Sequence, residues 1–371
     1  MARALLMFAD SERSMDLFHA VPRAIIDPFL YAETGRRRIA VIGHVDHEPL
    51  READPSIELV DPLDLGRRAL LESGLDPTST DVEVAARAVA RLGIDRATVS
   101  WDFPVAIADR LRAGGVELTV DHRAFERRRR IKTPSQLAGI RRAQRAADLA
   151  MGEAARLVRE SRPGLTAEEV RSAMQVVCEE HDTVLPDDVI VAVNGQAANG
   201  HDAGSGPIAP GDVVLIDIWP RDRASRCWAD MTRTFVAGGA TPPGELAEYW
   251  RLSRQALDAV TARIRPGVNG RELHGIAAGV FESAGQPTLR TVEDDAPLPD
   301  AGFLHSLGHG VGLDVHEAPA IGLAGDDLVA GDVIAIEPGC YRRGFGGVRL
   351  EDLVLVTEDG AELLTAFPYE L

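Results

Sequence analysis

The sequence has few features of secreted or membrane proteins. It contains three cysteines, Cys178, Cys227 and Cys340, and their odd number and wide spacing fit reduced thiols better than a disulfide framework. The first apolar run, Ala4 to Ala9, is closed by Asp10 and is too short for a signal peptide. No other run approaches the length of a membrane span. We therefore expect a cytoplasmic protein.

Positive charge is also scarce. The chain has 40 Lys and Arg residues against 58 Asp and Glu residues, a formal net charge of −18. This balance gives no electrostatic basis for binding nucleic acid or an anionic membrane surface, and bound cations could neutralise part of it. The basic run from Glu126 to Lys132 fits a linker or a salt-bridged surface better than a recognition patch.

The pattern of the chain predicts two domains. Its 371 residues, 45% of them hydrophobic, can fill two cores. In the first third, short β-type runs alternate with helical stretches, which predicts a compact α/β domain. The predicted strands are 38–43, 56–60, 97–101 and 116–120, and the predicted helices are 81–92 and 104–113. We place this domain at 1–125 and a second one at 131–371.

Two helices are predicted to open the second domain. Thr133 is followed by proline and, at the third helical position, by glutamine, and an apolar face then continues to near Ser161. Thr166 and Glu169 form a second capping box, which predicts a helix to about Glu180. These helices could cover one face of a sheet.

Histidine is concentrated in one segment. His305, His309 and His316 lie within residues 303–317 of a chain that has ten histidines in all. Glycines alternate at 308, 310 and 312, which opposes a helix and favours an extended strand. In a strand His305 and His309 share a face, whereas a bend must bring in His316. From this segment alone, a loop with only local hydrogen bonds is an equally good interpretation.

Two other segments resemble each other. Residues 210–217 and 330–337 each contain a Gly-Asp turn and an apolar strand that ends in a carboxylate, Asp217 in the first and Glu337 in the second. This match suggests a duplicated unit with two related strands side by side. A turn and a returning strand follow each one, and these hairpins would add Asp230 and Glu351 to the same site.

Four converging carboxylates repel one another, and several would stay protonated unless cations compensated them. Two divalent ions would supply that charge, and His309 would add a neutral nitrogen ligand. A bridging hydroxide would then be the nucleophile. A single acid at a strand end is common at protein surfaces, but four acids in this arrangement are much less so.

These residues resemble the five signature blocks of the pita-bread metallopeptidases, in particular the Xaa-Pro dipeptidase and aminopeptidase P group. The blocks are Asp217, residues 230–234, residues 308–312 with His316 and Glu317, residues 336–339 and residues 347–352. The resemblance implies an α+β architecture, in which a pita-bread (creatinase/aminopeptidase-like) catalytic domain follows a smaller α/β domain. Residues 1–125 resemble the group's N-terminal domain in position and rhythm only.

The resemblance also implies a dinuclear metal site. Asp217 would chelate one ion, His309 and Glu337 would bind the other, and Asp230 and Glu351 would bridge both. Oxygen ligands with one imidazole suit Mn²⁺, Co²⁺, Fe²⁺ or Zn²⁺, and the family makes Mn²⁺ the first choice.

Further roles follow from the same resemblance. Glu337 would act as general base for the bridging water, and His316 would stabilise the tetrahedral intermediate. His305 and His201 would contact substrate from the pocket wall. Arg349 alternates with Glu351 along its strand, where it would orient that acid or bind substrate.

The implied activity is hydrolysis of the bond before a proline at the second position of a small peptide, by a homodimer. Three departures from the family pattern bear on specificity. Asp217 and Asp230 are two residues further apart than usual, Trp228 replaces a common tyrosine, and no arginine lies between His316 and Glu337. Dipeptidases of the group often use such an arginine to hold the substrate carboxylate, so dipeptidase and aminopeptidase P activity both stay open.

Two alternatives remain within the fold. One is an enzyme acting on a small non-peptide substrate, such as a creatinase-like hydrolase or a lyase; creatinase-like members lack the metals, which the intact ligand set disfavours. The other is a catalytically silent binding module like the histone chaperones that reuse this fold, for which loss of ligands would be typical. Methionine aminopeptidase is disfavoured because it lacks so long an N-terminal domain.

Overall fold

The computed structural model describes residues 3–293 and 295–371. The chain divides into two compact units, one ending at Arg129 and one beginning at Arg130. Within the described residues, no helix combines the length and the apolar character needed to cross a membrane.

The first unit is built on a six-stranded mixed sheet of order β4-β3-β2-β1-β5-β6. Side chains alternate between its faces, so Leu6 and Leu30 pack against one group of helices while Met7 and Tyr31 pack against another. The strands are β1 (Ala4–Ala9), β2 (Phe29–Thr34), β3 (Arg37–Val41), β4 (Ile57–Val60), β5 (Arg96–Val99) and β6 (Glu117–Val120). The helices are α1 (Met15–Ala20), α2 (His47–Ala53), α3 (Arg67–Glu72), α4 (Pro77–Arg91), α5 (Val105–Ala113) and α6 (His122–Arg130).

The predicted α/β character of this unit is confirmed, and the four predicted strands correspond to β3, β4, β5 and β6. β1 and β2 are not among the predicted strands, and Ala4–Ala9 was expected only to be a short apolar run. That run is in fact a central strand, with β2 and β5 as its neighbours. A strand buried on both faces loses the alternation by which strands are recognised.

The basic run is not a linker over most of its length, because residues up to Arg130 belong to α6. The alternative interpretation, a salt-bridged segment, is correct. Arg128 pairs with Glu33 and Arg129 with Asp16 in the first unit, while Arg130 pairs with a buried acid of the second.

The second unit consists of two consecutive modules, each with two helices packed on antiparallel strands. In the first module α7 (Pro134–Glu160) and α8 (Ala167–Glu180) pack on the sheet β11-β9-β8. In the second, α9 (Gly244–Thr261) and α10 (Gly270–Ser283) pack on strands that include β15, β17 and β18. The sheets of this second half are β14-β13-β15-β18-β19 and β12-β16-β17.

The strands of the second unit are β7 (Thr183–Val184), β8 (Ile190–Val193), β9 (Val213–Ile218), β10 (Arg221–Asp222), β11 (Met231–Val236), β12 (Ala301–Gly302), β13 (Gly308–Gly310), β14 (Glu317–Ile321), β15 (Val333–Ile336), β16 (Gly339–Arg342), β17 (Gly346–Arg349), β18 (Asp352–Val356) and β19 (Ala361–Leu363).

The two similar segments form corresponding strands, but they are not neighbours. β9 lies between β8 and β11, whereas β15 lies between β13 and β18 in a different sheet. The expectation of two strands side by side in one sheet is therefore wrong. The similarity instead marks the same position in two repeated modules. In each module, the central strand has a carboxylate at or next to its end.

Both predicted helix starts are confirmed. Thr133 and Thr166 are the N-caps of α7 and α8, each in a capping box with the residue three positions on. At α7, Gln136 N donates to Thr133 Oγ1 at 3.2 Å, and Thr133 N donates to Gln136 Oε1 at 2.9 Å. The cap fixes the start of the helix that carries much of the first module's core.

We predict that Thr133→Ala lowers the free energy of unfolding by about 1 kcal/mol, because one N-terminal N–H of α7 loses its acceptor. Urea denaturation measures the change. Thr133→Ser keeps the hydroxyl and should retain most of the stability. Equal losses in the two variants would contradict a capping role.

Candidate metal centre

Four acidic residues lie at strand ends in the second unit. Asp217 is the penultimate residue of β9, and Asp230 directly precedes β11. Glu337 directly follows β15, and Glu351 lies between β17 and β18. All four positions end or begin a buried strand, which is how a carboxylate can be held inside the protein without interrupting a sheet.

The β9–β11 hairpin and Glu351 bring three carboxylates together. Asp217 is opposite Thr232 in the antiparallel pairing of the hairpin, and ligand atoms of Asp217, Asp230 and Glu351 lie within 4.8 Å of one another. The additional length of this hairpin is held on α7, where Arg142 donates two 2.8 Å hydrogen bonds to Asp222. The longer spacing therefore leaves the two acids adjacent.

His309 faces this group from β13. Its Nε2 is 3.7 Å from Asp230 Oδ2 and 3.7 Å from Glu337 Oε1. The predicted strand is present here, over Gly308–Gly310. A Cβ at Gly308 would lie 1.9 Å from Ala335 O, and the glycine alternation therefore reflects close contact with a neighbouring strand.

The other histidines lie around this cluster. The ring of His316 meets that of His309 edge-on, with 4.1 Å between centroids. His305 precedes β13 and does not belong to the strand; its ring packs against Phe303 and Tyr341. His201 is exposed. Burial lowers the pKa of His316, and the nearby His201 lowers it further.

Hydrogen bonds of Arg349 link Asp217 to Glu351. Its Nη2 donates to Asp217 Oδ2 at 2.5 Å, and its Nε donates to Thr232 Oγ1 at 3.0 Å. The Thr232 hydroxyl in turn donates to Glu351 Oε2 at 2.6 Å. The direct acidic partner of Arg349 is therefore Asp217, and it reaches Glu351, the acid that it was expected to orient, only through Thr232.

Sequence reasoning missed Thr232 and Tyr341. The Tyr341 hydroxyl accepts a 3.1 Å hydrogen bond from Arg349 Nη1. The tyrosine side chain lies over Gly339 and Gly347, where an added Cβ would come within 2.3 Å of the hydroxyl oxygen and within 2.2 Å of the ring, respectively. Two signals were available: Thr232 shares a strand face with Asp230, and glycine two residues before the tyrosine leaves space for its ring.

Burial and mutual repulsion disfavour ionised acids here. Both effects raise the pKa of Asp230 and Glu351 well above the usual range, and burial is the main cause of a raised pKa of about 7 for Glu337. Burial also lowers the pKa of His309 to about 4 and that of His305 to about 3. The imidazoles are therefore neutral at pH 7 and have a nitrogen available for coordination.

The residues present fit divalent cations. Asp217 Oδ1 is buried and has no hydrogen-bond partner among the described residues. Asp230 and Glu351 each lie in one cluster with Asp217 and in another with His309, so their carboxylates stand between two potential positions. Oxygen donors with one imidazole are the set expected for Mn²⁺, Fe²⁺, Co²⁺ or Zn²⁺.

Comparison with known proteins identifies the family of this chain. Residues 138–358 match the model of metallopeptidase family M24. This match spans more than half of the chain, and the chain therefore belongs to that family.

The chain is also similar to individual proteins that are named dipeptidases. The chain is 34% identical over 252 residues to the probable dipeptidase PepE of Mycobacterium bovis, covering 67% of this chain and 61% of the relative. It is 33% identical over 244 residues to the Xaa-Pro dipeptidase of Pyrococcus furiosus, covering 65% and 64%. These matches span less than two thirds of either relative.

A solved structure defines the fold. The Xaa-Pro dipeptidase from Bacillus anthracis superposes with a TM-score of 0.81 at 23% identity, over 100% of this chain and 94% of that one. The predicted pita-bread fold with an N-terminal α/β domain is confirmed.

Metal-free protein should lose stability as the pH rises from about 4.5 to about 7. Glu337 has a higher pKa folded than unfolded, so the folded state binds the proton more tightly and the free energy of unfolding falls across that interval. Thermal unfolding of chelator-treated protein measures this trend, and Glu337→Gln, which cannot ionise, should weaken it. The same pH slope in both proteins would contradict the assignment.

Proposed function

We propose that this protein is a metal-dependent exopeptidase that hydrolyses the peptide bond before a proline at the second position. The observation that carries the proposal is the intact cluster of four strand-end acids and one neutral histidine in an M24 chain. A silent binding module would have no reason to retain such a cluster, since its acids repel one another when no cation is bound.

Five residues would hold two divalent ions: Asp217, Asp230, His309, Glu337 and Glu351. We propose Mn²⁺ as the native metal, with Co²⁺, Zn²⁺ and Fe²⁺ as alternatives. Such ions lower the pKa of water at the site and polarise the scissile carbonyl.

The chain's own groups would complete the chemistry. Glu337 would accept a proton from the attacking water and donate it to the leaving nitrogen. His316, beside His309 at the edge of the cluster, would donate a hydrogen bond to the developing oxyanion. His305 and His201 would contact the substrate from the wall, and Arg349 would hold Asp217 in place.

The expected substrate range follows from the site and from its departures from the family pattern. The chain has no arginine between His316 and Glu337 to bind a free carboxylate one residue beyond the scissile bond. Relatives are named dipeptidases, so dipeptides and longer peptides both belong in the test. We further propose a catalytic domain at 131–371, an N-terminal domain at 1–125, and a homodimer.

The test is hydrolysis of Xaa-Pro dipeptides and longer Xaa-Pro peptides by protein stripped of metal and reloaded with Mn²⁺, Co²⁺ or Zn²⁺. We expect metal-restored cleavage, and His309→Ala should reduce kcat/KM by at least about 100-fold because a ligand is lost. A folded, metal-loaded protein that cleaves none of the peptides would reject the peptidase and leave a non-peptide substrate as the leading candidate.

A further inference from the structure

A buried ion pair lies beneath the loop that carries His316. The chain has a single lysine, Lys132, and its ammonium pairs with the carboxylate of Glu317, the residue directly after His316. Their side chains are 3% and 2% exposed. The loop in question, residues 311–316, connects β13 to β14.

The pair lies against the backbone of this loop. A Cβ at Gly312 would be 2.3 Å from Glu317 Oε1 and 2.8 Å from Lys132 Nζ, so only glycine leaves room for the two charges. Across the loop, Trp228 N donates to Gly312 O at 2.8 Å, and Trp228 Nε1 donates to Leu313 O at 3.0 Å. The loop is therefore held between the ion pair and Trp228.

This anchoring bears directly on His316. Without the Lys132 ammonium, the buried Glu317 carboxylate still accepts from Asp314 N at 3.4 Å but loses the Lys132 charge, which favours its movement toward water or its protonation. Glu317 directly follows His316, so a backbone shift that brings its carboxylate closer to water also moves His316. The edge-on contact of His316 with His309 would change as a result.

We propose that Lys132 is a positioning residue, whose pairing with Glu317 sets the place of His316 relative to His309. The inference rests on the proposed function, in which His316 contacts the reacting carbonyl. This role of Lys132 differs from a general stabilising role because loss of the ion pair is expected to displace only the loop of residues 311–316.

The chain offers a matched control two residues away. Arg130 forms a buried pair with Asp332, with contacts of 2.9 Å and 2.6 Å to the two carboxylate oxygens and exposures of 12% and 0%. Asp332 directly precedes β15 and lies outside the loop. Arg130→Met therefore removes a comparable pair at a different place.

The experiment compares Lys132→Met, Arg130→Met, His316→Ala and the Lys132→Met/His316→Ala double variant. Thermal unfolding, Co²⁺ affinity from the visible absorption of the bound ion, and kcat and KM on an Xaa-Pro peptide are measured for each. Both Met variants should lower Tm. Of the two, only Lys132→Met should reduce kcat, by about 100-fold, because displacement of His316 by even a small distance is costly. Co²⁺ affinity should stay within about twofold in both Met variants, since neither removes a proposed ligand.

The double variant should be no slower than His316→Ala, because both changes remove the same contribution. Additive losses, or equal kcat losses in the two Met variants, would overturn the proposal. If Lys132→Met does not fold, Lys132→Arg and Glu317→Gln take its place. Lys132→Arg keeps the charge and should retain part of the kcat of the unmodified protein. Glu317→Gln removes the partner charge and should not.

One readout does not depend on activity. The ring resonance of His316 in metal-free protein, identified by its loss in His316→Ala, should shift in Lys132→Met and not in Arg130→Met. An unmoved resonance would reject the positioning role even in an active enzyme. A shifted resonance in a protein that cleaves no Xaa-Pro peptide would leave the positioning role standing and reject the proposed function alone.

Discussion

Repulsion among four largely buried carboxylates is the constraint on which the second unit depends. Burial and like charges raise the pKa of Asp230 and Glu351 well above the usual range, so the folded chain holds them together at a cost in stability. Strand ends from both modules meet at this point, because a central strand of each sheet delivers one acid and its neighbour delivers another. Cations at the centre would reverse the sign of the effect and make the cluster a source of stability.

The surroundings of the acids are arranged to limit that cost. Arg349 places one positive charge against Asp217, and Thr232 links the guanidinium to Glu351. His305 and His309 add no charge at pH 7 because burial lowers their pKa. What remains is an acidic, largely buried site in which one Asp217 oxygen has no hydrogen-bond partner within the part of the chain that the structure describes. Divalent ions are the simplest chemistry that satisfies this site.

Much of this arrangement could be predicted from the sequence because the signals were local. Thr133 and Thr166 gave helix starts through capping boxes, and alternating glycines gave β13. The five proposed ligands came from two similar segments that end in carboxylates, from the histidine-rich segment and from the resemblance to the family's signature blocks. Features that depend on distant partners were missed: β1 lacked alternation because it is buried on both faces, Tyr341 is recognised only with Gly347 on the next strand, and Lys132 only with Glu317. The relation between β9 and β15 was misjudged because a similar sequence specifies a similar place in a module, and hydrogen-bonded pairing does not follow from it.

The most direct test of this account is calorimetric titration of Mn²⁺ into metal-free protein at pH 7, in two buffers of different ionisation enthalpy. Two ions per chain should bind with net release of protons, because carboxyl groups that are protonated in the metal-free cluster must ionise to become ligands. Binding of fewer than two ions, or binding without proton release, would contradict the claim that the fold holds these acids together for a pair of cations.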